Sequence, residues 1–157
     1  MSLKKKKGGI GFEELVYRTK PGGMKVGFVR GLGEHPNTDS GATVAEIAAY
    51  NEFGTQSPKG NAHIPERPFL RTTIREQTKP VYIPLVKDLL AKMLLGQMKV
   101  AKAIGILGLK AVADVQAKID AITSPENADY TKDKKGSSNP LIDTGHMRKS
   151  VTWERVE

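Results

Sequence analysis

The stretch Asn51-Glu52-Phe53-Gly54-Thr55, followed by Ile64-Pro65-Glu66-Arg67-Pro68-Phe69-Leu70-Arg71, decides how the middle of this chain folds. Gly54 can adopt a positive φ and so end a helix, and the two prolines stiffen the loop that follows. Phe69 then opens a long helical pattern. The two runs therefore predict a short helix that stops at Gly54, a proline-punctuated loop and an aromatic-led entry into a long helix. Neither run contains a catalytic pattern.

The short helix has a recognisable start. Thr43 is a candidate N-cap, and Glu46 lies three positions later, which matches the capping-box pattern. The apolar residues that follow at helical positions are Val44, Ile47, Ala48 and Tyr50.

A long helical pattern follows the loop. Pro80 and Pro84 leave two alternatives open: the helix kinks, or one helix ends near Thr78 and another starts around Pro80. Gly96 ends the pattern. The apolar positions at helical spacing are Leu70, Ile74, Val81, Leu85, Leu89 and Met93.

A second long helix is predicted over residues 98–122. Gly105 and Gly108 either weaken its first half or permit close packing there. Its apolar side is expected to comprise Ile104, Leu107, Ala111, Val115, Ile119 and Ile122.

The alternation of apolar and polar residues predicts strands near both ends of the chain. Residues 24–30 alternate as a half-buried strand within a hairpin over 10–30, and residues 150–156 alternate with Val151 and Trp153 on one face. A short helical turn is expected over 144–148. The predicted fold class is α+β, with a small antiparallel sheet packed with two long helices in a single domain. Residues 1–9 are predicted to be a flexible basic arm, and the domain is predicted to cover 10–157 with mobile loops at 31–42, 55–68 and 123–140.

The net charge of +8 invites a nucleic-acid interpretation, but its distribution weakens it. Four of the 25 basic residues are Lys4, Lys5, Lys6 and Lys7, and the other 21 stand against 17 acidic residues. Such a run can contact phosphates through counterion release, although a solvated tail is the commoner outcome. A second basic cluster lies at 132–135.

The sequence predicts no catalytic residue, no metal site and no cofactor, so we expect no enzyme. The three histidines, His35, His63 and His146, are far apart, and none has a partner at metal-ligand spacing. There is no cysteine. The glycine pairs do not match phosphate-binding patterns. Asp143 or Thr144 is expected to cap the short helix rather than to activate a nucleophile. No apolar run is long enough for a membrane span, and the basic start lacks the apolar stretch of a secretory signal.

Three stretches in order, 48–55, 64–71 and 140–151, resemble motifs of the head–tail joining, or tail-completion, proteins of tailed bacteriophages (the neck or minor tail group). The predicted helical middle agrees with that family in layout. The resemblance implies a structural α+β subunit of the virion, at the head–tail junction or tail end. It further implies assembly in the host cytoplasm.

The resemblance also implies partners. We expect a ring homo-oligomer of about six subunits, contacts with phage connector and tail proteins, and DNA passing through the lumen without sequence-specific binding. The implied interface comprises Glu52, Phe53, Gly54, Pro65, Arg67, Pro68 and Phe69. On that interpretation Arg67→Glu spares the monomer and impairs the ring. The loop could instead be an ordinary surface connection with Phe69 and Leu70 as core anchors. The alternative function is a small basic nucleic-acid-binding protein.

Overall fold

A computed structural model of the chain describes residues 23–28, 41–56, 64–135 and 137–156. It confirms the predicted α+β class, in which helices pack with a two-stranded antiparallel sheet in one domain. The predicted arm at 1–9 and most of the predicted loop at 31–42 lie outside these residues. The elements in chain order are β1 (Gly23–Gly27), α1 (Val44–Phe53), α2 (Leu70–Gln77), a π-helical segment (Thr78–Tyr82), α3 (Ile83–Leu94), α4 (Val100–Ala121), α5 (Asp129–Lys134), α6 (His146–Lys149) and β2 (Thr152–Val156).

The sheet joins the two predicted strands from opposite ends of the chain. β1 and β2 run antiparallel, with Val26 opposite Trp153 and Lys25 opposite Glu154. Within the described residues β1 therefore pairs with β2. The predicted hairpin over 10–30 falls mostly on residues outside the description.

Helix α1 begins with the predicted capping box. The Glu46 carboxylate accepts from the Thr43 backbone N–H at 2.8 Å, and the Glu46 N–H donates to the Thr43 hydroxyl at 3.2 Å. The first of these bonds lowers the pKa of Glu46. At the other end Gly54 has a φ of 68°, as predicted for a residue that terminates the helix.

The second alternative for the two prolines is confirmed in part: α2 ends at Gln77, beside Thr78, but the next α-helix begins at Ile83 rather than around Pro80. A π-helical segment lies between α2 and α3 and contains Pro80, while Pro84 occupies the first turn of α3. Neither proline has an N–H to donate. A widened turn tolerates this gap in the hydrogen-bond ladder. Helix α2, the π-helical segment and α3 therefore follow one another without a loop.

Helix α4 is the central element, and Gly108 permits close packing against it. A Cβ added to Gly108 would lie 2.3 Å from Cδ2 of Trp153, whereas one added to Gly105 would lie 3.8 Å from the same indole. Trp153 on β2 therefore rests directly on the α4 backbone at Gly108.

The main core lies where α1, α4 and α6 meet. A smaller apolar cluster joins α3 to the first half of α4 through Leu89, Met93 and Ala103. The buried residues of the main core are Val44, Ala48, Phe69, Val115, Ile119, Leu141, Met147 and Val151.

The segment 123–140, for which no regular element was predicted, contains helix α5. The predicted short helix at 144–148 is confirmed as α6, but its N-cap is Gly145, with a φ of 74° and no side-chain cap bond. The expected cap is confirmed in part: neither Asp143 nor Thr144 occupies the N-cap position, but the Thr144 hydroxyl accepts from the His146 N–H, the first of the helix, at 3.3 Å.

Candidate functional site

The carboxylate of Glu52 caps the start of α2 from the end of α1. One oxygen accepts from the backbone N–H groups of Phe69 and Leu70 at 2.8 and 2.9 Å, and the other accepts from that of Arg71 at 3.0 Å. The residue is 4% exposed. The first N–H groups of a helix lack intrahelical partners and form its positive end, so a buried carboxylate is stabilised there. Phe69, at the N-cap position of α2, has no side-chain acceptor to do this itself.

Arg67 joins α1 to the segment that follows α4. Its Nε donates to the Pro125 carbonyl at 2.7 Å, and its terminal nitrogens donate to the Glu126 carbonyl at 2.9 Å and to the side-chain oxygens of Asn127 and Asn51 at 3.1 and 3.3 Å. The side chain is almost fully buried, and this burial lowers the pKa of Arg67. All four acceptors are neutral. Arg67 therefore acts as a structural crosslink, and we call Glu52, Arg67 and Asn51 the clasp.

The loop after α1 is closed at its base. The Thr55 N–H donates to the Ile64 carbonyl at 2.9 Å, and the Ile64 N–H donates to the Thr55 hydroxyl at 3.0 Å. A Cβ at Gly54 would lie 2.9 Å from the Ile64 carbonyl oxygen. Glycine is thus required at position 54 both by its positive φ and by this close approach.

Most of the predicted interface residues are buried or partly buried within the folded chain. Glu52, Arg67 and Phe69 are buried, Gly54, Pro65 and Pro68 are partly buried, and Phe53 is 65% exposed. The alternative interpretation, in which Phe69 is a core anchor, is confirmed, and Leu70 packs against the same core. The expectation that Arg67→Glu spares the monomer was wrong in its premise, because Arg67 is not a surface residue. Of these seven residues, Phe53 is the one with a broadly exposed side chain.

An apolar groove of about 570 Å³ lies beside α1 and α2. Phe53, Leu70 and Ile74 contribute to its wall, and Arg71 and Arg75 add positive charge. The Arg71 guanidinium lies 5.2 Å from the centre of the Phe53 ring and also pairs with Glu66. This groove was not predicted from the sequence. Its signal was present in the small residues Ala45 and Ala49, which share the Phe53 side of α1.

The opposite side of α1 borders two smaller clefts. Ile47 and Asn51 line one of about 220 Å³, and Asn51, Arg67 and Thr131 line its neighbour. Because residues two positions apart on an α-helix point about 200° apart, Ile47 and Asn51 face away from Ala49 and Phe53. Helix α1 thus separates the apolar groove from these clefts.

Two lysines of the basic cluster at 132–135 bond to other groups of the protein. Lys132 donates to Glu126 at 2.6 Å, and Lys135 donates to the Pro140 carbonyl at 3.0 Å. Burial lowers the pKa of Lys135. Both lysines therefore form bonds within the protein, and Lys4, Lys5, Lys6 and Lys7 lie outside the described residues.

Over the described ranges, no cluster of three or more histidine, aspartate or glutamate side chains could hold a metal ion, and none of the helices there combines the length and apolarity of a membrane span. His35 and His63 fall outside those ranges. No protein-family model matches the sequence, and no curated protein or solved structure is significantly similar to it.

Proposed function

We propose that this protein is a non-enzymatic structural subunit of a tailed bacteriophage, forming a ring that completes the tail or joins the head connector to it. The observation that carries the proposal is that the three stretches that resemble this family meet in one structural unit. Glu52 of the first stretch caps the helix that begins in the second. Leu141, Met147 and Val151 of the third pack in one core with Ala48 and Phe69.

The contacts within that unit fit a structural role. Its buried polar groups hold backbone groups in place, and it leaves Phe53 exposed on the edge of an apolar groove. Apolar grooves on protein surfaces are frequent sites of protein–protein contact. A ring subunit needs a rigid frame of this kind, because each copy must present the same surfaces at a constant angle.

In the proposed ring, copies of the chain surround a lumen through which DNA passes, and the two faces of the ring contact connector and tail proteins. The test is the mass of the full chain by light scattering across a concentration series, combined with negative-stain electron microscopy. We expect a closed particle of about six subunits with a central channel. A protein that forms only open chains, or no particle with a channel, would contradict the proposal.

A binding experiment distinguishes the alternative, a small basic nucleic-acid-binding protein, from the proposed ring subunit. If Lys4, Lys5, Lys6 and Lys7 bind phosphates, affinity for duplex DNA falls steeply with salt and is lost when residues 1–8 are deleted. A ring subunit with a passive lumen shows weak binding that the same deletion changes little.

A further inference from the structure

Two exposed aromatic side chains are prominent among the described residues. Tyr130 on α5 is 69% exposed, and Phe53 at the end of α1 is 65% exposed. These are the two largest exposed fractions of any large apolar residue in the described ranges. Aromatic residues of this kind are enriched in protein–protein contacts. Phe53 borders the apolar groove, whereas Tyr130 projects from a helix on the other side of α1.

The position of α5 follows from the cleft that it borders. Thr131 and Lys135, one turn apart, face Asn51 and Arg67 in that cleft. Tyr130 and Asp133 are also one turn apart and are exposed, so they lie together on the outer side of α5. The groove and this outer side of α5 therefore occupy opposite sides of the subunit.

The charges beside the two surfaces are complementary. Arg75 lies in the groove wall and is exposed, and Asp133 is exposed next to Tyr130. Neither makes an ion pair with another residue in the described ranges. An aromatic side chain flanked by a carboxylate matches an apolar groove flanked by an arginine.

We propose that the groove receives α5 of a second copy of this chain, with Tyr130 entering between Phe53 and Ile74 and Asp133 meeting Arg75. This proposed contact rests on the proposed function, since a ring of identical subunits requires a head-to-tail contact between two different surfaces. Because the groove and α5 lie on opposite sides of α1, each copy offers one surface to each neighbour.

Charge reversal at the paired positions tests this contact. Arg75→Glu places two acidic groups together at every interface, and Asp133→Arg places two arginines together. Each single variant of the full chain is expected to weaken self-association by at least about tenfold in sedimentation velocity. The double variant is expected to restore self-association, and so is an equimolar mixture of the two single variants. In both cases residues 75 and 133 of neighbouring copies can again carry opposite charges.

Aromatic truncation gives a second measurement. Tyr130→Ala is expected to weaken association by more than about tenfold, because buried tyrosines often dominate such contacts. Leu109→Ala is the matched control, since Leu109 is 64% exposed on α4 and borders neither surface. Thermal unfolding of each variant monitors the fold. All of these side chains are exposed, so the melting temperatures should change little.

Unchanged association in both charge variants would overturn the proposal. So would failure of the mixture and of the double variant to restore association, or a wild-type protein that stays monomeric throughout. Rings that persist in both single variants would refute this contact while leaving the proposed function intact. Association through this contact into open chains would refute the ring and leave the contact.

Discussion

Glu52 and Arg67 are charged residues buried for structural reasons. Glu52 accepts three backbone N–H groups at the start of α2, and Arg67 donates to oxygens from three residues that follow α4. A buried carboxylate or guanidinium is costly unless it is hydrogen-bonded, and here both are. The clasp therefore determines the angle between α1 and α2 and the position of the segment 125–127.

The Glu52 cap can be tested by Glu52→Gln, which keeps the shape and removes the charge. We expect the free energy of unfolding to fall by about 3 kcal/mol, because hydrogen bonds to a charged group are weakened and the amide N–H₂ faces backbone donors. Urea denaturation measures this. Glu66→Gln is the control, since its carboxylate is half exposed and pairs with Arg71. Similar losses in the two variants would contradict the cap.

Arg67→Glu is expected to unfold or strongly destabilise the protein. The change leaves the carbonyls of residues 125 and 126 without their donor and puts a carboxylate among oxygen atoms, so a loss of more than about 3 kcal/mol is expected. The matched control is Arg75→Glu, at an exposed arginine in α2, which should change the monomer's stability little. Equal melting temperatures for the two variants would show that Arg67 is not a crosslink.

The capping box of α1 makes a contribution that depends on pH. The folded state lowers the pKa of Glu46 below its ordinary value of 4.5, mainly through the Thr43 backbone N–H. This contribution is therefore present above pH 4.5 and is lost as the pH falls through the lower folded value. We expect Glu46→Gln to be less stable than wild type at neutral pH and closer to it near pH 3, measured by urea denaturation. An equal difference at both pH values would contradict this.

At the scale of elements, the contact between β2 and α4 depends on one glycine. Gly108→Ala would place a methyl carbon 2.3 Å from Cδ2 of the Trp153 indole, which is too close for two non-bonded carbon atoms. Overpacking of this kind costs about 1–3 kcal/mol. Gly105→Ala meets the same indole at an ordinary distance and gains up to about 1 kcal/mol of helix propensity. We expect the first variant to melt lower and the second as high as wild type or higher. Two destabilised variants would mean that the close approach at Gly108 is not the cause.

At the scale of the whole molecule, the sheet ties the end of the described chain to its beginning. Trp153 packs on α4, and Val151 lies in the main core. Deleting residues 151–157 removes both and leaves β1 without its partner, so we expect loss of cooperative thermal unfolding. Deleting residues 1–8, which the sequence predicts to form an arm, is the control and should preserve it. A cooperative transition in the first truncation would contradict this role for the sheet.

Local patterns predicted most of the elements. The capping box at Thr43, the positive φ at Gly54, the span of α4 and the alternation of β2 depend on residues within a few positions of one another. Short-range sterics and hydrogen bonding suffice for such features. The sequence predicted only an interruption of the helix near Pro80 and not a π-helical segment. The form of that segment also depends on the packing of α2 and α3 against α4.

The sequence by itself determined the α+β class, the helical middle, the end of α1 at Gly54 and the two strands, since apolar periodicity and turn chemistry are local properties of a chain. Only the tertiary structure decided that Arg67 is buried, since three of its four side-chain acceptors are 58 to 60 positions away. It also decided that Phe53, Ile74 and Arg75 share one groove and that α5 lies across α1 from it. Burial and juxtaposition depend on contacts between distant segments, which no local pattern specifies.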